Sequence, residues 1–85
     1  MSAVWCFSVS AEAAPGSLSR VIDVFVLYGQ LPSRLESRCE GAEDLVIDAQ
    51  LAGIDAGVAA AVARRLQRVV GVSAVLYSAK RACAA

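Results

Sequence analysis

The 85-residue chain contains no histidine, so it lacks the side chain that most often binds transition metals or transfers protons near neutral pH. Its three cysteines, Cys6, Cys39 and Cys83, form no C-x-x-C pair, which argues against a zinc knuckle and a dithiol redox motif. A nucleophile would have no histidine base beside it. We therefore expect no catalytic residues, no metal and no cofactor. Unpaired thiols indicate a reducing cytoplasm, with Cys83 near the terminus the most reactive.

Net charge and long apolar runs are also missing. Eight basic residues cancel eight acidic ones, which argues against nucleic acid and anionic membrane surfaces as partners. A transmembrane helix needs about 20 consecutive apolar residues. The longest candidate, residues 21–28, is short and interrupted by Asp23. We expect neither a nucleic-acid nor a membrane partner.

Apolar side chains, by contrast, are abundant. They make up 58% of the chain, and the mean hydropathy is +0.58. An ordinary soluble domain has about 45–50% even when glycine is counted. Because a chain this small buries only about 60–65% of its unfolded surface, some apolar surface must remain exposed. Another subunit is the usual partner of such surface, so the composition predicts an oligomer.

Period-two alternation predicts four strands, over residues 4–10, 31–39, 45–51 and 72–78. In the first strand, Trp5, Phe7 and Val9 are predicted to face the core. In the second, the odd positions from Leu31 to Cys39 are predicted to face it, and Pro32 delays the start of the strand.

Helical periodicity predicts a helix after each of the first and third strands. The first is predicted to use Ser17 as its N-cap and to end at Gly29. Its core stripe comprises Leu18, Val21, Ile22 and Phe25. Its outward face is predicted to carry a partner interface made of Arg20, Val24 and Leu27.

The second helix is predicted to begin at Asp55 as N-cap and to be stopped by Gly71. Its core stripe comprises Val58, Val62, Leu66 and Val69. The resulting order predicts an α+β, ferredoxin-like βαββαβ sandwich with a four-stranded antiparallel sheet and two helices on one face. We expect one domain over residues 1–85, with its core at about 4–78 and a loose tail at 79–85.

The first predicted helix carries a recognisable motif. Residues 15–29 contain Pro-Gly-x-Leu-Ser-Arg-Val-Ile-x-x-Phe followed by a glycine four residues later. This segment resembles the ACT domain, most closely the small regulatory subunits of acetolactate synthase in their short, single-ACT form. Residues 66–75 resemble the end of that family's second helix, so the resemblance spans about residues 4–78.

The resemblance implies a regulatory subunit that binds an amino acid and adjusts a large catalytic subunit. It implies a homodimer or higher homo-oligomer formed by sheets joined side by side, with the effector between subunits. The implied ligand-binding residues are Ala13, Pro15, Gly16, Ser17 and Leu18 of one subunit, and Leu31 and Pro32 of its neighbour. Physically, a glycine loop before a helix lets backbone N–H groups approach a carboxylate.

A second hypothesis remains open, that of a dimerisation or docking module that stabilises an enzyme without sensing a ligand. Valine-sensing relatives usually have asparagine where this chain has Ala13, and Asn-Ile where it has Leu31-Pro32. Gly16 would then serve only to make a turn.

Overall fold

The sheet and helices follow the predicted order. The computed structural model describes residues 3–81, with β1 at Ala3–Glu12, α1 at Pro15–Leu27, β2 at Arg34–Glu40, β3 at Asp44–Ala52, α2 at Ala56–Gln67 and β4 at Val72–Arg81. The strands form one antiparallel sheet in the order β2-β3-β1-β4. The predicted ferredoxin-like βαββαβ sandwich is confirmed.

The core lies between the helices and one face of the sheet. Phe7 pairs with Ala49, and Val9 pairs with Ile47, so these directly opposed side chains share a face. Both helices contribute to the same buried cluster, which comprises Phe7, Val9, Val21, Val24, Phe25, Leu45, Ile47, Ala49, Leu51, Ala59, Val62, Ala63 and Leu66. The predicted alternation of β1 and β3 and the predicted stripe of α2 are therefore confirmed.

The start of α1 differs from the prediction. Ala14, not Ser17, is the N-cap, and no side chain caps the helix; Pro15 occupies the first helical position, where a missing N–H costs nothing. Ser17 instead lies in the first turn, fully buried, and its hydroxyl has no hydrogen-bond partner within residues 3–81. Gly29 ends the helix region at φ +66°, as expected.

The predicted outward position of Val24 is wrong. Val24 is only 5% exposed, because α1 packs on α2 as well as on the sheet and so buries a wider stripe than the sheet alone requires. Leu27 is 61% exposed, and Arg20 is also exposed. The outward face of α1 therefore keeps two of its three predicted interface residues.

Strand β2 also differs in its burial. It begins at Arg34, after Pro32, as predicted, but every one of its residues is exposed, including Leu35 and Cys39. The odd positions do share the core-facing side, since Cys39 pairs with Leu45. They remain exposed because β2 is an edge strand that pairs only with β3.

The second helix and the last strand end at residues other than those predicted. Asp55 caps α2 as predicted, its Oδ1 accepting the Val58 N–H at 2.8 Å. The helix ends at Gln67, and Gly71, at φ +94°, belongs to the turn that follows. Strand β4 continues to Arg81, which pairs with Ala3, so residues 79–81 are strand and not the predicted tail. Cys83 lies outside the described residues.

The buried hydroxyl of Ser17 generates a stability prediction. We expect Ser17→Ala to raise the free energy of unfolding by about 1 kcal/mol, because it removes an unsatisfied buried polar group and favours the helix. Urea denaturation followed by circular dichroism measures the change.

Ser19→Ala is the matched control, since Ser19 is an exposed serine of the same helix whose hydroxyl donates to the Gly16 carbonyl at 3.1 Å. It should change stability by less than about 0.5 kcal/mol. A loss of stability in Ser17→Ala that exceeds the control would show that the hydroxyl is satisfied.

Candidate functional site

The loop between β1 and α1 is fixed to the turn between β2 and β3. The Ala13 N–H donates to the Glu43 carbonyl at 2.9 Å, and the Ala14 N–H donates to the Glu12 carbonyl at 2.9 Å. The register of the sheet causes this approach, because Glu12 at the end of β1 lies opposite Asp44 at the start of β3.

An apolar cavity of about 310 Å³ lies where this loop meets the hairpin. It is lined by Ala13, Ala14, Pro15, Leu18, Cys39 and Leu45. Its volume is at the lower end of the range for small-molecule sites, about 300–1,000 Å³. The lining contributes a single polar side-chain atom, the Cys39 sulfur. The cavity therefore suits a small apolar group such as a branched aliphatic side chain.

The N-terminus of α1 lies beside this cavity and is electropositive. It has no side-chain cap and no acidic residue in its first turn, so no side chain of that turn neutralises its backbone dipole. The Arg20 guanidinium folds back over it: a Cβ on Gly16 would lie 3.0 Å from Arg20 Nη2. Glycine at this position thus leaves room for a cation above the first turn.

One backbone donor in this turn remains suited to an anion. Of the four N–H positions at the start of the helix, Pro15 has no N–H, and the N–H groups of Ala14 and Ser17 donate to the carbonyls of Glu12 and Ala14. The Gly16 N–H has no side-chain cap as acceptor. It is therefore the strongest backbone candidate for binding a carboxylate.

The hairpin supplies negative charge on the other side of the loop. Glu40, Glu43 and Asp44 are all exposed there. Glu40 lies 3.4 Å from Arg38, and Arg38 also pairs with Asp48 at 2.8 Å, a hydrogen bond that raises the pKa of the arginine. Glu43 and Asp44 form no ion pair within residues 3–81. These two carboxylates are the available partners for an ammonium group.

The structure separates the predicted ligand-binding residues into two groups. Ala13, Pro15 and Leu18 line the cavity, whereas Gly16 and Ser17 lie in the adjoining turn without lining it. Leu31 and Pro32 lie at the opposite end of α1, a 13-residue helix that spans about 20 Å. Within one chain they do not meet the cavity. Their contribution from a neighbouring subunit stays a prediction.

The sequence reasoning missed three cavity residues, namely Ala14 in the loop and Cys39 and Leu45 in the hairpin. Alternation correctly assigns the two hairpin residues to the core-facing side, and they pair directly with each other. Their nearness to the loop follows from the pairing of Ala11 with Leu45 across β1 and β3. An antiparallel register drawn between those strands is the signal that could have found them.

No helix within residues 3–81 is long and apolar enough to cross a membrane. Over the same range, no three histidine, cysteine, aspartate or glutamate side chains cluster closely enough to hold a metal ion.

The comparisons with known proteins concern the fold. No protein-family model and no curated protein matches the chain. Among solved structures, the crystal structure of the ACT domain from GTP pyrophosphokinase of Chlorobium tepidum is similar at a TM-score of 0.79, with 10% identity, covering 92% of this chain and 100% of that one. The chain has the fold of an ACT domain.

Two further similar structures come from longer proteins. The C-terminal domain of MgtC from Mycobacterium tuberculosis is similar at a TM-score of 0.72 and 14% identity, covering 93% of this chain and 88% of that one. A formyltetrahydrofolate deformylase from Pseudomonas putida KT2440 is similar at a TM-score of 0.69 and 17% identity, covering 91% of this chain and 29% of that one. The resemblance to ACT domains is thus supported at the level of fold, and the finer resemblance to acetolactate synthase subunits stays a prediction.

Proposed function

We propose that the chain is a cytoplasmic ACT-type regulatory domain that binds an apolar amino acid between its β1–α1 loop and its β2–β3 hairpin. The observation that carries the proposal is the apolar cavity of Ala13, Leu18, Cys39 and Leu45 beside an uncapped helix N-terminus. The cavity suits the aliphatic side chain of such an amino acid, and the helix N-terminus suits its carboxylate.

The binding mode follows from the charges around the cavity. The carboxylate binds the Gly16 N–H near the Arg20 guanidinium, where the helix dipole favours an anion. The aliphatic side chain enters the cavity, and the ammonium group points toward Glu43 and Asp44. Because each buried CH₂ contributes about 0.8 kcal/mol, valine should bind about tenfold more tightly than alanine.

A second subunit pairs with the first through edge strand β4 in this proposal. This is the better strand for pairing sheets, because residues 72–79 carry no charge, whereas β2 carries alternating charges. Leu31 is 90% exposed and precedes β2 at the opposite edge of the sheet, so its predicted contact with a neighbour's cavity would require a further contact at the β2 edge. Ligand would then regulate by favouring one arrangement of the two subunits.

The proposed partner is a large catalytic subunit of acetolactate synthase, which acts in branched-chain amino acid biosynthesis. Its support is the motif over residues 15–29. Gly16 and Leu18 of that motif lie in the first turn of α1, and Gly29 ends the helix region. The apolar character of the cavity agrees with a branched-chain effector.

The second candidate function is a dimerisation or docking module that stabilises a partner enzyme and senses nothing. The nearly complete absence of polar side chains among the six cavity residues favours it, since nothing in the cavity wall itself recognises an ammonium group. Binding of an amino acid to the chain separates the two functions directly.

The cavity generates a protection experiment. In a Cys83→Ser background, we expect leucine or valine to slow alkylation of Cys39 by iodoacetamide about fivefold or more, because the ligand occupies the space beside the sulfur. Mass spectrometry of tryptic peptides measures the rate at each thiol.

Cys6 is the internal control, because it faces the opposite side of the sheet, where it pairs with Gln50 and Ser78. Its rate should not change. Equal rates at Cys39 with and without any amino acid at millimolar concentration would contradict the sensing function and leave the docking module.

The proposed dimer generates a second experiment. Light scattering at tens of micromolar protein should give twice the 8.8 kDa chain mass. Leu76→Lys should give the monomer, because Leu76 is 73% exposed on β4 and a charge opposes pairing at that edge. Ser37→Lys, which adds the same charge to the other edge strand, should leave the dimer intact. A monomeric parent chain, or a loss of the dimer in Ser37→Lys alone, would contradict the proposed pairing.

A further inference from the structure

The six arginines within residues 20–68 divide into two groups by their ion pairing. On the sheet, Arg34 and Arg38 lie 2.8–3.4 Å from carboxylates of Glu36, Glu40 and Asp48. On the helix layer, Arg20, Arg64, Arg65 and Arg68 form no ion pair within residues 3–81. A chain of zero net charge therefore concentrates uncompensated positive charge on one face.

Three of these arginines surround one groove. A groove of about 440 Å³ lies between the two helices. It is lined by Arg20 of α1, by Arg65 of α2 and by Arg68, the C-cap residue of α2. The acidic side chain in its lining is Asp23, which lies more than 4.0 Å from the arginine nitrogens. Three positive charges thus face one negative charge.

The remainder of the groove is apolar. Val24 and Val69 form its inner surface, and the exposed side chains of Leu27 and Val70 form its walls. Val70 is 73% exposed, an unusual environment for a valine placed among arginines. The lining therefore combines an anion-binding part with an apolar part.

The helix dipole explains the position of only two of the three arginines in the groove. Cations near the end of α2 are favourable there, so Arg65 and Arg68 have a structural role. The dipole of α1 does not favour Arg20, because the Arg20 guanidinium lies over the first turn, the positive end of that helix. Its Nη1 lies 3.4 Å from the Val70 carbonyl, which holds the charge across the groove toward α2.

We propose that this groove binds a small organic phosphate, a ligand with a polyanionic group and an apolar or ring portion. One guanidinium satisfies one carboxylate, whereas three guanidinium groups match the several oxygens and the multiple charge of a phosphate or pyrophosphate. The groove volume is that of a small-molecule site. The proposal does not rest on amino-acid binding, since Arg65, Arg68 and Val70 belong to the groove alone and only Arg20 also lies beside Gly16.

Isothermal titration calorimetry with ADP and with inorganic pyrophosphate tests the proposal on the intact chain. We expect ADP to bind at low salt with a Kd of about 1 mM or tighter, and pyrophosphate to bind more weakly because it leaves the apolar wall uncovered. Arg65→Gln/Arg68→Gln should weaken both ligands about tenfold or more.

Arg34→Gln/Arg38→Gln is the matched control, because it removes the same charge from the sheet. It should leave both affinities unchanged. Val70→Glu, which places a negative charge in the exposed wall, should also abolish binding without changing α2 itself. Circular dichroism confirms folding of each variant. The proposal would be overturned if neither ADP nor pyrophosphate bound at about 5 mM. It would also be overturned if Arg34→Gln/Arg38→Gln weakened binding as much as Arg65→Gln/Arg68→Gln.

Discussion

The antiparallel pairing of β1 with β3 determines where the β1–α1 loop meets the β2–β3 hairpin, and therefore where the apolar cavity lies. Glu12 faces Asp44 and Ala11 faces Leu45, so the end of β1 meets the β2–β3 turn. The following loop is then close enough for Ala13 to donate to the Glu43 carbonyl. A shift of this register by one residue would turn Phe7 and Val9 out of the core. The hydrophobic effect that fixes the core therefore also fixes the cavity, and the aromatic contact between Phe7 and Phe25, with ring centroids 6.2 Å apart, ties α1 to the same strand.

Much of the fold follows from sequence because its signals are local. Alternation on β3 and the Asp55 cap each depend on residues that are neighbours along one element. The failures involve partners from elsewhere in the chain. Val24 is buried because α2 covers it, and Cys39 is exposed because β2 is an edge strand. Ser17 is a good capping residue by type, but Pro15 starts the helix earlier and carries Ser17 into the core.

The cavity could be predicted only in part, because some of its residues are neighbours in sequence and others are not. The loop residues Ala13, Pro15 and Leu18 are contiguous with a readable motif, whereas Cys39 and Leu45 join them only through strand pairing. Net charge was a poor guide to local charge. The equal numbers of acidic and basic residues conceal a division between an acidic hairpin and a helix layer rich in unpaired arginines. Arg20 lies between the two proposed sites, since it covers Gly16 and also lines the groove.

The central claim is that an apolar amino acid binds where the loop meets the hairpin. A ¹H–¹⁵N correlation spectrum of the labelled protein, recorded during titration with leucine, tests it most directly. The account predicts that the largest saturable shifts fall on the amides of Gly16, Leu18, Cys39 and Leu45, with those of the opposite sheet face unmoved. An unchanged spectrum at millimolar leucine, or shifts centred away from these four amides, would contradict it.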